Sequence, residues 1–470
     1  MSTFGGIEIA RRALNAHQTA LDVAGHNIAN VNTPGYTRQR AHLVATPPDG
    51  IADGIYPAVS LRLGTGVDIA AITRVRDLYL DERLVEARGA LGESSQLRDI
   101  LDRAQRVYGE PGSGGISSLL NGFFNSFQEL SKNPESGSNR YLVRSQGAAL
   151  ARRFNEVAGA LDQLGGELEF RIAGVIQEAN TLAREVARLN EVIARSKVTG
   201  GQPNDLEDQR DELVRQLGEL AGASSSVELD ASGRPTGHLQ VRVNGFTLVQ
   251  GSQAFALPAK HQMAGESPAL RDGADIFTLR GGRLAGLVRA AGVVQGYRVD
   301  LDESAAALIS RVNTQHQAGY GLDGVTGRSF FDGAGAGDMR IHADVAASPD
   351  AIAAASAPPP GKRVAPGNGD NARAIAGLAT ARVIGSFTIG EFYAARVARV
   401  GEDARSQAEQ AGTAERLLQQ VDNLRASVSG VSLDEELTHM LETQRAYQAA
   451  ARVLTAMDAL LDHLINDVGR

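Results

Sequence analysis

Residues 6–36 read GIEIARRALNAHQTALDVAGHNIANVNTPGY, and two patterns meet in them. Ile7, Leu14, Leu21 and Ile28 recur at a strict spacing of seven, with Ala10, His17, Ala24 and Val31 three positions after each. That is the heptad stripe of an amphipathic helix, too narrow to bury a helix alone. The stripe then runs into Asn27, Asn30, Asn32, Thr33, Pro34, Gly35 and Tyr36. Such a polar, turn-forming cluster suits either a ligand loop or a structural joint. Pro34 and Gly35 occupy the second and third places of a type II turn. The asparagines can satisfy backbone groups left open at a helix end. A joint between this helix and the strand-like TRQRAHLVA is the expected reading.

The far end repeats the pattern. In SLDEELTHMLETQRAYQAAARVLTAMDALLDHLI (432–465), Met440, Tyr447, Leu454, Leu461 and, beyond it, Val468 step by seven. Leu437, Ala451 and Ile465 are the expected companions, and Ser432 with Glu435 form a capping box. Two narrow stripes at opposite ends need a partner each, and the simplest partner is the other end.

Long helices fill much of the remainder. Phe154, Leu161, Leu168, Val175, Leu182 and Leu189 predict one helix of roughly 50 Å or more at 1.5 Å per residue. It stops near SKVTGGQPND, where Asn204 and Glu207 suggest a second capping box. Further helices are expected over about 78–108, 286–318 and 392–427. Between them, VELDASGRPTGHLQVRVNGFTLVQG (227–251) alternates apolar and polar residues around SGRP and NG turns, predicting antiparallel strands with Leu239, Val241 and Val243 on one face. The fold class is therefore multidomain and mainly α. Paired terminal coiled-coil helices, a long-helix domain and a central antiparallel β-rich insertion are expected. The expected domains are 1–35 with 431–470, then 36–225 with 286–320 and 372–430, and a β-rich outer domain of 226–285 with 321–371.

Composition narrows the function. The 470 residues hold no cysteine and no tryptophan, so thiol chemistry, disulfides and cysteine-bound metals are excluded. A net charge of −8 argues against a nucleic-acid binder. No apolar run approaches membrane-spanning length, and the N-terminus reads as a mature helix rather than a cleaved leader. Catalytic constellations are missing too. GSGGIS (112–117) lacks the lysine of a phosphate loop, His17, His26 and His42 lack zinc spacing, and no serine sits in a nucleophile elbow. LEDQRDEL (206–213) reads as ion pairs on a helix surface, and GLDGVTG and DGAGAGD as turns. No cofactor, metal or catalytic residue is expected.

NIANVNTPGYTRQ and the C-terminal segment resemble the shared end motifs of bacterial flagellar rod, hook and hook-associated axial proteins. LNGFFNSFQELSKNPES (120–136), TGGQPNDLEDQRDEL (199–213) and LISRVNTQHQAGYGLDGVTGRSFF (308–331) resemble the branch that forms the first junction between hook and filament. The resemblance implies a structural subunit required for filament assembly and swimming. It implies self-association in a ring, with hook protein below and a second junction protein above. It also implies export through the flagellar type III apparatus without a cleaved signal peptide, a cytoplasmic chaperone at the C-terminal segment, and an extracellular location at the hook–filament junction. The stripe residues would be the assembly seam, ordering mainly against neighbours. The chain is short for that branch, which implies that an outer subdomain of some relatives is missing. Other readings are a hook or distal rod subunit, or an adhesin or enzyme acting through the central insertion. Only His238, His261, His316 and His342 lie in that insertion and its flanks, without a companion motif.

Overall fold

The computed structural model describes residues 3–47, 64–358 and 365–466. Val468 and part of the expected 356–372 loop lie outside them. In chain order the elements are α1 (Thr3–Ala29), β1 (Gln39–Ala45), β2 (Val67–Arg74), α2 (Leu78–Tyr108), α3 (Ile116–Lys132), α4 (Gly137–Val198) and α5 (Asn204–Ala221). Then come β3 (Ala223–Leu229), β4 (Pro235–Val243), β5 (Phe246–Gln250), β6 (Gln253–Ala254), β7 (Lys260–Ala264), β8 (Ser267–Asp272) and β9 (Asp275–Thr278). The chain closes with α6 (Gly282–Gln317), β10 (Phe331–Asp332), β11 (Arg340–Ile341), α7 (Ala343–Ala347), α8 (Asp370–Gly377), α9 (Ile389–Ser429) and α10 (Leu433–Asn466).

The elements form two compact units: residues 1–90, 178–257 and 415–470 in one, 91–177 and 258–414 in the other. This differs from the three-part division expected from the sequence, because the strands do not form one outer domain. The β3–β4–β5–β6 sheet belongs to the unit of the chain ends, and the β7–β8–β9 sheet to the other. Asn190 of α4 explains the first assignment. Its side chain takes Leu239 N–H at 3.0 Å, gives to Leu239 C=O at 2.8 Å, and gives to Gly251 C=O at 2.7 Å, tying the sheet to the helix.

All sheets are antiparallel. Leu239, Val241 and Val243 share the buried face of β4. Of the α4 stripe, Phe154, Leu161, Leu168, Val175 and Leu189 are buried and Leu182 is half-buried; Ala158, Ile172, Ala179, Val186 and Ile193 are buried too. The helix is longer than its stripe suggested, 62 residues or about 93 Å.

The second unit is built on aromatic packing. Phe123 and Phe127 of α3 meet Phe330 and Phe331 with ring centroids 4.8–5.5 Å apart, largely edge-on, and all are buried. Asn313 fixes that approach: its Oδ1 accepts Phe330 and Phe331 N–H, each at 2.9 Å. His316, one turn on and fully buried, uses both ring nitrogens, Nδ1 toward Arg328 C=O (2.7 Å) and Nε2 toward Ala353 N–H (2.9 Å). Nδ1 must therefore carry the proton and Nε2 none. Burial pushes the His316 pKa down from 6.5 to about 4.

Candidate functional site

The two chain ends pair as antiparallel helices. A Cβ on Gly6 would stand 3.0 Å from Met457 Cε, and Asn27 Nδ2 reaches Glu436 Oε2 at 3.0 Å. The step from Gly6 to Asn27 along α1 equals the step from Met457 back to Glu436 along α10, three heptads each, so the register is unbroken. The buried face of α1 is Gly6, Ala10, Ala16, Ala20, Ala24 and Asn27. Ile7, Leu14, Leu21 and Ile28 stand one position to the side and are half-buried. On α10, Met440, Tyr447, Leu454 and Leu461 are likewise half-buried, while Glu436, Thr443 and Ala450 are buried and Leu437 is 49% exposed. So the intrachain contact keeps Ala10 and Ala24 of the expected α1 stripe but lies one residue from its large members, and on α10 Glu436, Thr443 and Ala450 are buried rather than Leu437 and Ala451. Close approach is the reason: helices this near accept glycine and alanine between them and leave larger side chains at the flank. His17 lies on the inner stripe, and burial lowers its pKa.

The helix ends in a network centred on Asn27, which is only 2% exposed. Its Oδ1 accepts from Tyr36 Oη (2.8 Å) and Gln39 N–H (2.9 Å); its Nδ2 donates to Gln39 C=O (2.9 Å) and Glu436. All four hydrogen-bonding places of the amide are used. Asn30 donates to His26 C=O at 3.0 Å and accepts from Thr33 Oγ1 at 3.0 Å, capping the last turn. Tyr36 N–H donates to Thr33 C=O at 3.2 Å with Gly35 at φ +82°, the geometry of a type II turn. Pro34 and Asn32 are exposed. The Tyr36 hydroxyl pKa is pushed up by burial and by the carboxylates of Asp205, Asp208 and Glu436.

Several residues of this site escape a reading of the motif alone. Arg38 joins Glu435 (2.9 Å) and the buried Glu436 (2.6 Å) of α10. Thr37 N–H donates to Asp208 at 2.8 Å, and the Gln39 amide donates to Asp205 at 2.7 Å. Arg74, at the end of β2, meets Glu207 (2.7 Å), Asp208 (2.9 Å) and Asp211 (2.8 Å), and Arg76 meets Asp211 and Asp81 at 2.8 Å each. LEDQRDEL is thus a buried docking node, not the surface ion-pair row expected. Glu207, Asp208 and Arg210 are each less than a tenth exposed. Burial works against the Arg74 charge, yet Asp211, Glu207 and Asp208 outweigh it and hold its pKa above the ordinary range. Burial would raise Asp211, but Arg74, Arg76 and Arg210 keep it low. Asp208 goes the other way, since burial exceeds its pairing with Arg74 and lifts it. Asn204 is not a cap: its side chain donates to Gln39 Oε1 (3.1 Å) and Ile72 C=O (2.8 Å).

A cleft of about 230 Å³ opens beside the network, with Ala24, Asn27, Arg38, Gln39, Glu436 and His439 among its walls. That is below the roughly 300–1,000 Å³ of ordinary ligand sites. Among the described residues no cluster of three His, Asp or Glu is placed to hold a metal ion, and no helix is long and apolar enough to cross a membrane. Chemically, the arrangement fastens backbone to backbone.

A chain whose first and last helices pair and are locked at a polar turn, with a second compact unit inserted along the chain between them, has the architecture of the axial structural proteins of the bacterial flagellum. Residues 7–37 match the family described as flagella basal body rod protein, and residues 425–467 the C-terminal family of flagellar basal body rod proteins. Residues 101–331 match the helical domain of flagellar hook-associated protein FlgK. The chain is 31% identical over 514 aligned residues to flagellar hook-associated protein 1 of Bacillus subtilis, covering all of this chain and 99% of that one. It is 27% identical over 563 residues to the protein of the same name from Salmonella typhimurium, covering 98% and 99%. The chain belongs to the flagellar hook-associated protein 1 family. Its fold resembles that of the flagellar hook junction protein FlgK from Burkholderia pseudomallei, with a TM-score of 0.63 and 16% identity over 74% of this chain and all of that one.

Proposed function

We propose that this chain is the structural subunit that joins hook to filament in the bacterial flagellum, acting by assembly and not by catalysis. One observation carries the proposal. The end motifs shared with flagellar rod proteins are the very segments that the Asn27 network ties together, in a chain aligned over its whole length with hook-associated relatives. Subunits would form a ring, with hook protein below and a second junction protein above. The seam would be Ile7, Leu14, Leu21 and Ile28 with Met440, Tyr447, Leu454, Leu461 and Val468. The residues of that seam within reach of description are half-buried in the single chain, which leaves apolar surface for neighbouring copies. Residues 27–36 would be the rigid joint through which the chain leaves the inner helices. Export would proceed through the flagellar apparatus, with a chaperone on the C-terminal segment.

Clean deletion tests this. Hooks without filaments, filament protein shed into the medium and loss of swimming are expected; normal filaments would refute it. A chaperone that binds a chain lacking 431–470 as well as the intact chain would remove that partner from the scheme.

A further inference from the structure

We propose that Glu436 is a register lock: its buried carboxylate, gripped by Asn27 and Arg38, selects one antiparallel alignment of α1 and α10 from several that packing alone would accept. Much of the inner stripe of α1 is small. Gly6, Ala13 and Ala20 repeat at seven, so along that row sliding α1 by one heptad exchanges one small residue for another, and only the half-buried His17 interrupts the adjacent row of Ala10 and Ala24. Such a seam specifies proximity better than register. Glu436 breaks the degeneracy. It is 1% exposed, and its two oxygens accept from Asn27 Nδ2 at 3.0 Å and Arg38 Nε at 2.6 Å. Arg38 is itself fixed through its backbone, whose N–H donates to Ser429 C=O (3.0 Å) and whose C=O accepts from Val75 N–H (2.7 Å). A slip one way sets Glu436 against Ala20, a full heptad away from Asn27 and Arg38. A slip the other way carries Asn27 to Thr443 and strips Glu436 of both partners. A charge that loses its partners inside a contact costs far more than an exchange of alanine for glycine. The lock lies at the joint end of the pair, so it also sets where the chain turns away from the helices. The inference concerns the chain's own folding and does not depend on its place in the flagellum.

The absence of cysteine gives a clean background for trapping. Three double variants of the full chain report three registers under mild oxidation. Gly6→Cys with Met457→Cys reports the observed one, Gly6→Cys with Ala450→Cys one slip, and Ala13→Cys with Met457→Cys the other. With Glu436 intact, the first pair should cross-link and the others stay at least about tenfold behind. Adding Glu436→Leu should bring the slipped pairs to comparable yield while far-UV circular dichroism keeps its helical signal. Adding Glu436→Gln, which keeps the shape and the Asn27 contact but drops the charge, should give an intermediate yield and decides the matter if the leucine variant does not fold. Slipped yields that stay at the parent level in the folded variants, or a parent without dominant cross-linking of the first pair, would overturn the proposal.

Discussion

Two heptad stripes in this chain have opposite fates. Along α4, Leu161, Leu168, Val175 and Leu189 are buried, so most of that stripe is spent within the chain. Along α1, Ile7, Leu14, Leu21 and Ile28 are half-buried, and the burial falls on the small residues beside them. Both stripes repeat every seven residues with residues of similar size. What separates them is which residues go inside. The buried face of α4 carries large side chains such as Leu161, Ile172, Val186 and Ile193. Between α1 and α10, backbone approaches backbone, which pushes the large residues outward. A saturated stripe serves stability, while an unsaturated one is available to other molecules.

Substitutions should sort by this contrast, starting with the largest effect. Phe123→Ala removes a wholly buried ring from the aromatic cluster and should cost about 3–5 kcal/mol, read as a fall in the denaturation midpoint. Arg74→Met leaves Glu207, Asp208 and Asp211 without their shared cation and should cost about 3 kcal/mol or more, seen as early loss of protection of the joint in hydrogen exchange. Acid should act on the aromatic unit through His316. Its folded pKa lies near 4, below the ordinary 6.5, so between those values the unfolded chain binds the extra proton. Stability is then fully present above pH 6.5 and declines as pH falls toward 4, by a total of order 3 kcal/mol. His316→Gln should flatten that slope; an unchanged slope would remove the histidine from the account.

Pro34→Ala with Gly35→Val should cost less in stability, about 1–2 kcal/mol, because valine must adopt the φ of +82° that glycine holds. It should nonetheless impair assembly and swimming while the melting of the 91–177 and 258–414 unit is unchanged. Leu14→Ala sharpens the comparison most, through the smallest change: under about 1 kcal/mol in the free chain, with swimming in soft agar largely lost. If Leu14→Ala destabilised the free chain as strongly as Phe123→Ala, the distinction between the stripes would vanish.

How far the sequence carried the fold follows from what apolar spacing can report. The long helices were legible because Leu, Ile, Val and Phe at helical period are a strong signal. The shift of the α1 contact onto Gly6, Ala16 and Ala20 was not, since glycine and alanine carry almost no hydrophobic signal and matter only once a partner is near. The acids of α5 looked like a surface row because their cations, Arg74 and Arg76, lie over a hundred residues earlier in the chain. Asn204 looked like a cap for the same reason: its true acceptors, Gln39 and Ile72, sit in a distant hairpin. Of the joint, the turn was readable from Thr33-Pro34-Gly35-Tyr36, whereas Arg38, Gln39 and Glu436 acquire their roles only when the ends meet.

Asn27 and Glu436 are separated by 409 residues of chain. Their bond therefore works as a completeness check. A chain emerging N-terminus first can form its turn and its first helix early, but Asn27 keeps one donor and Arg38 its carboxylate partners outstanding until the last forty or so residues arrive. Any truncation that stops short of α10 leaves the opening segment unlatched, so only a full-length molecule can present a finished beginning.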